Sequence, residues 1–245
     1  MTDKTIPDKL FASPLSEIVD FVFDEKVVDV FPDMINRSVP GYSTIINLLG
    51  IIARHYARPG TNIYDLGSSL GAATLSMRHH VRVEGCKIIA VDNASAMIER
   101  LQRIIERDNS RIEVESHCKD LQAIDIHNAS VVVMNFTLQF IALEERDAII
   151  EKIYRGMNPG GVLVLSEKLL FEDEQEDRVL TELHHDFKKS NGYSDLEIAQ
   201  KRSALENVLI PETANIHHQR LQRAGFSEIY PWFQCFNFAS FIAIK

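Results

Sequence analysis

The residues able to do chemistry gather in two short stretches. Asp65-Leu66-Gly67-Ser68-Ser69-Leu70-Gly71 sets an acid ahead of two spaced glycines, and Val91-Asp92-Asn93 places a second acid 25 residues beyond Gly67. Glycine lets a backbone turn tightly and come close to a ligand. A carboxylate closing the next strand offers two acceptors to two donors, as the paired hydroxyls of a ribose require. Taken alone, the glycine stretch reads equally as an ordinary strand-to-helix turn; the second acid at this spacing makes it a nucleoside site. The middle glycine of a G-x-G-x-x-G fingerprint is missing, so the turn approaches a pyrophosphate poorly and a ligand without phosphates fits better.

Strands and helices must hold these groups in place. Asn62 to Leu66 and Lys87 to Asp92 are apolar runs of strand length, and Ala72 to Met77 starts a helix after the glycine turn. Helical spacing returns over Ser43 to Tyr56, Ala94 to Glu106 and Leu143 to Met157, the last stopped by Asn158-Pro159-Gly160-Gly161. Arg111 to Glu115 alternates like a strand and leads to Asp120. Ser130 to Phe136 is the most hydrophobic run, suited to the centre of a parallel sheet buried on both faces, and carries Asn135 at its polar end. Val162 to Glu167 is a fifth strand. The expected architecture is α/β, a mostly parallel sheet flanked by helices, with ligands at the C-terminal strand edges. One domain spanning 1–245 is expected, with residues 1–60 as an N-terminal helical cap and about 171–210 as a charged helical insertion.

The pairing of D-L-G-x-x-x-G with V-D-x-S-x-x-M resembles the S-adenosylmethionine site of class I methyltransferases, a Rossmann-like fold. From Gly41-Tyr42 through N-G-Y-S-D-L-E and K-R-S-A-L-E-N to W-F-Q-C-F-N-F, the whole chain further resembles the carboxy-S-adenosyl-L-methionine synthases. That resemblance implies a transferase that takes S-adenosyl-L-methionine as substrate and prephenate as carboxyl donor. It makes carboxy-S-adenosyl-L-methionine with phenylpyruvate as by-product. A separate tRNA carboxymethyltransferase then uses the product to form 5-oxyacetyluridine at the wobble position. It implies cofactor contacts at Tyr42, Gly67, Ser68, Ser69, Asp92, Asn93, Asp120, Leu121, Asn135 and Arg202, with Asp92 on the ribose hydroxyls and Asp120 near the adenine amino group. Ser68 stands where other members have cysteine. A homodimer is implied as well.

Two of these residues have a plainer reading. Asp120 also suits an exposed turn. Arg202, in Lys201-Arg202 between acids, suits a solvated helix face as well as it suits the carboxylate that the reaction creates, which a planar guanidinium would grip bidentately. An ordinary methyltransferase of a small molecule or RNA, or a non-catalytic binder, would share every cofactor motif.

Composition bounds the partners. The 245 residues carry a formal charge of −9 and 45% hydrophobic residues, an ordinary soluble composition whose charge opposes nucleic-acid backbones and anionic membranes. Cys86, Cys118 and Cys235 lack the spacing of a zinc site or disulfide framework, so a reducing cytoplasmic setting is expected. No signal peptide or membrane span is visible. His79-His80, His184-His185 and His217-His218 are adjacent pairs that diverge by about 100° on a helix, which makes them poor chelators, and no metal is expected.

Overall fold

The computed structural model describes residues 6–245. In chain order the elements are α1 (Glu25–Ser38), α2 (Tyr42–Tyr56), β1 (Asn62–Leu66), α3 (Ala72–His80), β2 (Lys87–Asp92), α4 (Ser95–Arg107) and β3 (Glu113–Cys118). There follow β4 (Ala129–Asn135), α5 (Leu143–Gly156), β5 (Met157–Leu170), α6 (Glu174–Ser190) and α7 (Asp195–Leu205). β6 (Glu212–Thr213), α8 (Ala214–Ala224), β7 (Glu228–Cys235) and β8 (Phe238–Ile244) complete the chain.

The sheet runs β3-β2-β1-β4-β5-β8-β7, with the short β6 beside β5. β3 to β5 are mutually parallel, and β8 and β7 close the edge antiparallel. This is the α/β architecture the strand pattern requires. Every residue of β1 is buried, as is all of β4 except Asn135, because helices cover both faces of a parallel sheet. One core packs α5 and α8 against Tyr64, Val132 and Leu163; the other packs α2 and α3 against Ile63, Val131 and Val164. Residues alternate between the two faces, as the pleat dictates.

The segments outside the sheet converge over its C-terminal edge. Phe21, Val27, Val30 and Met34 of the cap pack against Met97 of α4 and Ala204 of α7. Asp8 ties the cap to the insertion, accepting from Tyr193 Oη at 2.5 Å and lying 3.6 Å from the Lys201 ammonium. The guanidinium of Arg37 stacks 3.8 Å from the Tyr193 ring centroid. Where the chain returns to the sheet, Glu212 accepts from Arg146 Nη1 at 2.6 Å and from Arg220 Nη2 at 2.7 Å, and Arg220 Nε donates to Asp147 at 2.7 Å. The fully buried Arg146 is tolerable because carbonyls of Gln139, Ile141 and Ile210 accept its remaining donors.

Trp232 to Phe238 belongs to two strands: it ends β7, turns at Phe236 with φ +50° and begins β8. Aromatic residues on both sides of the turn mask it.

Candidate active site

Five consecutive strand ends build the site, in the order the sheet sets. β3 leads to Asp120, β2 ends on Asp92, β1 leads into Gly67, β4 ends on Asn135, and β5 carries Lys168 two residues beyond Ser166, the partner of Asn135. A cavity of about 460 Å³ lies over these ends, roofed by α1, α6 and α7. That volume falls within the range of about 300–1,000 Å³ usual for small-molecule sites.

The glycine turn is shaped by close approach. Gly67 has φ +83°, and a Cβ there would fall 2.2 Å from Thr137 Oγ1; Gly71, at φ +81°, leaves room for Leu101 at the same calculated distance. Between them Ser69 is held at φ +47°, a costly conformation for a side chain, by its N–H donating to Asp92 Oδ2 at 2.8 Å. The other oxygen of Asp92 accepts from Ala94 N at 3.0 Å. One carboxylate therefore locks both the glycine turn and the start of α4, and each oxygen keeps a lone pair for a ligand. Burial raises the Asp92 pKa against these N–H donors.

Asp65, fully buried, accepts from Thr74 Oγ1 at 2.5 Å, and burial pushes its pKa up to about 6. Burial and the Asp65 charge together hold the Tyr42 phenol protonated. Asn93 Nδ2 donates to Asp120 at 2.9 Å, which links the second and third strand ends. Two buried side-chain atoms in the lining, Ser68 Oγ and Asn135 Oδ1, have no hydrogen-bond partner among the described residues. An unmet buried polar atom costs about 1–3 kcal/mol, a cost that a polar ligand removes.

Nine of the ten residues read as cofactor contacts line this cavity together: Tyr42, Gly67, Ser68, Ser69, Asp92, Asn93, Asp120, Leu121 and Asn135. Arg202 does not. Glu197, Ile198, Gln200, Lys201 and Ala204 form the buried face of α7, which turns Arg202 outward to solvent. Its neighbour Lys201 lines the cavity instead.

The sequence reading missed Lys168, Lys188, Lys201 and His184, all in the lining. His184 is buried, donates Nε2–H to Ser38 O at 2.8 Å and packs edge-on against Phe238. Burial and the nearby Lys188 push its pKa down to about 3, so it is neutral at working pH. It packs at the cavity wall. Among the described residues no three His, Cys, Asp or Glu side chains form a metal-ligating group, and no helix is long and apolar enough to cross a membrane.

Residues 63–161 match the family model of a methyltransferase domain. The carboxy-S-adenosyl-L-methionine synthase of Trichlorobacter lovleyi is 60% identical over 246 residues, covering 100% of both chains. That of Vibrio parahaemolyticus is 56% identical over 245 residues, again covering 100% of each. The chain belongs to the carboxy-S-adenosyl-L-methionine synthase family. Its fold is that of the class I methyltransferases. Human N-acetylserotonin methyltransferase, solved with S-adenosylmethionine, aligns at TM-score 0.60 and 18% identity over 99% of this chain and 63% of its own. A putative O-methyltransferase from Nostoc punctiforme aligns at TM-score 0.63 and 12% identity over 90% and 59%. The synthase family is an enzyme family, and the cavity is its candidate active site here.

Asp65 yields a pH prediction. A ligand that brings positive charge beside a carboxyl of pKa about 6 favours its ionised form, so affinity rises as pH rises through about 6 and levels off above. Calorimetric titration with S-adenosylmethionine from pH 5 to 8 should show this gain. Asp65→Asn, which keeps an acceptor for Thr74, should remove most of the slope; an unchanged slope would place the titrating group elsewhere.

Proposed function

We propose that this chain converts S-adenosyl-L-methionine and prephenate to carboxy-S-adenosyl-L-methionine, phenylpyruvate and water, the product serving a separate enzyme that modifies wobble uridine in tRNA. The observation that carries the reading is the cationic end of the cavity. Lys168 and Lys188 line it without an acid within ion-pair distance among the described residues, an arrangement that suits an anionic co-substrate and that a neutral methyl acceptor does not need. The end-to-end match to relatives named for this reaction supports it.

The electron bookkeeping asks little acid or base from the protein. The bond from the prephenate ring to its carboxylate breaks, carbon dioxide leaves, and the ring becomes aromatic as hydroxide departs. Hydroxide takes a proton from the sulfonium methyl and becomes water. The resulting ylide carbon bonds to carbon dioxide, which places a new carboxylate on the former methyl. What the protein supplies is position and exclusion of water. Asp92 would hold the ribose hydroxyls, Asp120 the adenine, and the Gly67-Ser68-Ser69 turn the methionine end. Phe21, Phe23 and Phe31 wall the cavity against water.

Mass spectrometry tests the reading. Purified protein given both substrates should yield a nucleoside one carboxyl group heavier than S-adenosylmethionine, and none without prephenate. Transfer of an intact methyl group to an added acceptor, with no such species, would favour an ordinary methyltransferase.

Arg202 is proposed as partner of the new carboxylate. It is exposed on α7 outside the lining, yet its charge lowers the pKa of both Lys168 and Lys188, so it belongs to the same positive field. In paired titrations Arg202→Ala should weaken the carboxylated nucleoside by about tenfold or more while changing S-adenosylmethionine little. Equal losses would return Arg202 to a solvated helix face.

A homodimer is the proposed assembly, with the insertion and cap at its interface. Val179 and Leu183 of α6, Leu196 of α7, and Leu15, Ile18, Val19 and Val22 ahead of α1 are exposed apolar side chains in these two segments. Light scattering at micromolar concentration should give twice the chain mass, and Leu183→Glu should lower it toward the monomer; a wild-type monomer would overturn the assembly.

A further inference from the structure

We propose that Lys168 and Lys188 form a subsite for the one carboxylate of the donor that survives the reaction, the 2-oxo acid group carried into phenylpyruvate, and leave the departing ring carboxylate unpaired. The inference rests on the synthase reading above and adds residues and a polarity to it.

Placement comes first. Lys168 lies on β5 just past the level of Asn135, while Asp92 and Asp120 lie at the ends of β2 and β3 on the other side of β1. Strands are about 4.8 Å apart, so β5 runs about 10 Å from β1 and its glycine turn, on the side away from the nucleoside acids. Lys188 reaches the same cavity from α6.

Charge comes next. Lys201 has partners, Asp8 at 3.6 Å and Ser38 Oγ at 3.1 Å. Lys168 and Lys188 make no ion pair or side-chain hydrogen bond among the described residues. The charge of Asp177 acts on Lys168, but its Oδ1 already accepts from Phe171 N. His184, from the same helix as Lys188, is neutral. Burial, then Lys168, Lys201 and Arg202, push the Lys188 ammonium down to about 7. Two half-buried cations lining one cavity, the charge of Lys168 lowering the Lys188 pKa and no acid within ion-pair distance among the described residues, make a site that a carboxylate relieves.

Chemistry then selects which carboxylate. Pairing the departing group with two ammonium ions would stabilise the ground state and lose that stabilisation as carbon dioxide forms, which raises the barrier. The surviving group keeps its charge from substrate through transition state to product. Holding it fixes the donor without opposing decarboxylation. The ring and its departing carboxylate then fall toward Phe136 and the sulfonium end, on the β4 side of β5.

Phenylpyruvate separates the possibilities, since it retains only the surviving carboxylate. We would measure KM for prephenate, the competitive inhibition constant of phenylpyruvate, and S-adenosylmethionine affinity for wild type, Lys168→Met, Lys188→Met and Lys188→Arg. Both prephenate KM and the phenylpyruvate constant should rise about tenfold or more in the Met variants, Lys188→Arg should restore most of each, and S-adenosylmethionine binding should stay within about twofold. Should a Met variant lose turnover, calorimetry of phenylpyruvate with the protein saturated in S-adenosylmethionine reads the same contact directly. A raised prephenate KM with unchanged phenylpyruvate binding would put the lysines on the departing carboxylate. No change in either, or an equal loss of S-adenosylmethionine, would abolish the subsite. Wild type that fails to consume prephenate at all would instead remove the reading beneath it.

Discussion

The Asp92 carboxylate holds the site in shape. It accepts from Ser69 N on one strand end and from Ala94 N at the next, which keeps a non-glycine residue at positive φ over the sheet edge. Parallel strands send their backbones upward at the same edge, and without a bridge their loops would part independently. Because Asp92 fixes the first two loops relative to one another, Asn93 can reach Asp120 and extend the row to a third. A ligand bound along that row meets donors and acceptors already in position, so little ordering is left for binding to oppose. The buried Glu167 does the same for the far side, accepting from Leu138 N at 2.9 Å and Gln139 N at 3.0 Å. Burial raises its pKa to about 8 against those donors.

How legible this was in the sequence depended on burial. β1, β2 and β4 declare themselves because burial on both faces selects continuous apolar runs, and the glycine turn declares itself because positive φ and close approach select glycine. β3 is an edge strand with no fully buried residue, and its bounds shift from Arg111–Glu115 to Glu113–Cys118. The cationic end of the cavity was invisible for a different reason. A lysine on a charged helix reads as solvated whichever way it points, and only the packing of α6 and α7 under α1 turns Lys188 and Lys201 inward. Arg202 shows the same limit in reverse: its type suits a carboxylate, but the buried stripe through Glu197, Lys201 and Ala204 sends it outward.

The insertion can serve as roof because it is tied at its middle and at its return to the sheet. Tyr193, Asp8, Lys201 and Arg37 join α6 and α7 to the cap, and the Arg146-Glu212-Arg220 cluster anchors the returning chain to α5 and α8. Such buried ionic groups are weak sources of net stability but costly to leave half made, so they specify one docking of the roof over others. The roof therefore carries its lysines to a defined place over the sheet.

Those lysines matter more here than on a neutral protein. The chain bears −9 overall, so an anionic ligand is repelled at long range, while a cationic one is attracted. Within the cavity the field is divided: Asp65, Asp92 and Asp120 outnumber Lys119 at the ends of β1, β2 and β3, while Lys168 of β5 and Lys188 of α6 make another part cationic. A ligand carrying sulfonium and ammonium charge is drawn to the first group and an acid to the second, so each substrate has one favourable orientation and the reverse arrangement pairs like charges. Swapping the two would place carboxylates beside Asp92 and cations beside Lys188, which costs in both halves at once. On the proposed reading the reacting atoms would meet where the two fields join, near Asn135 at the end of the central strand β4.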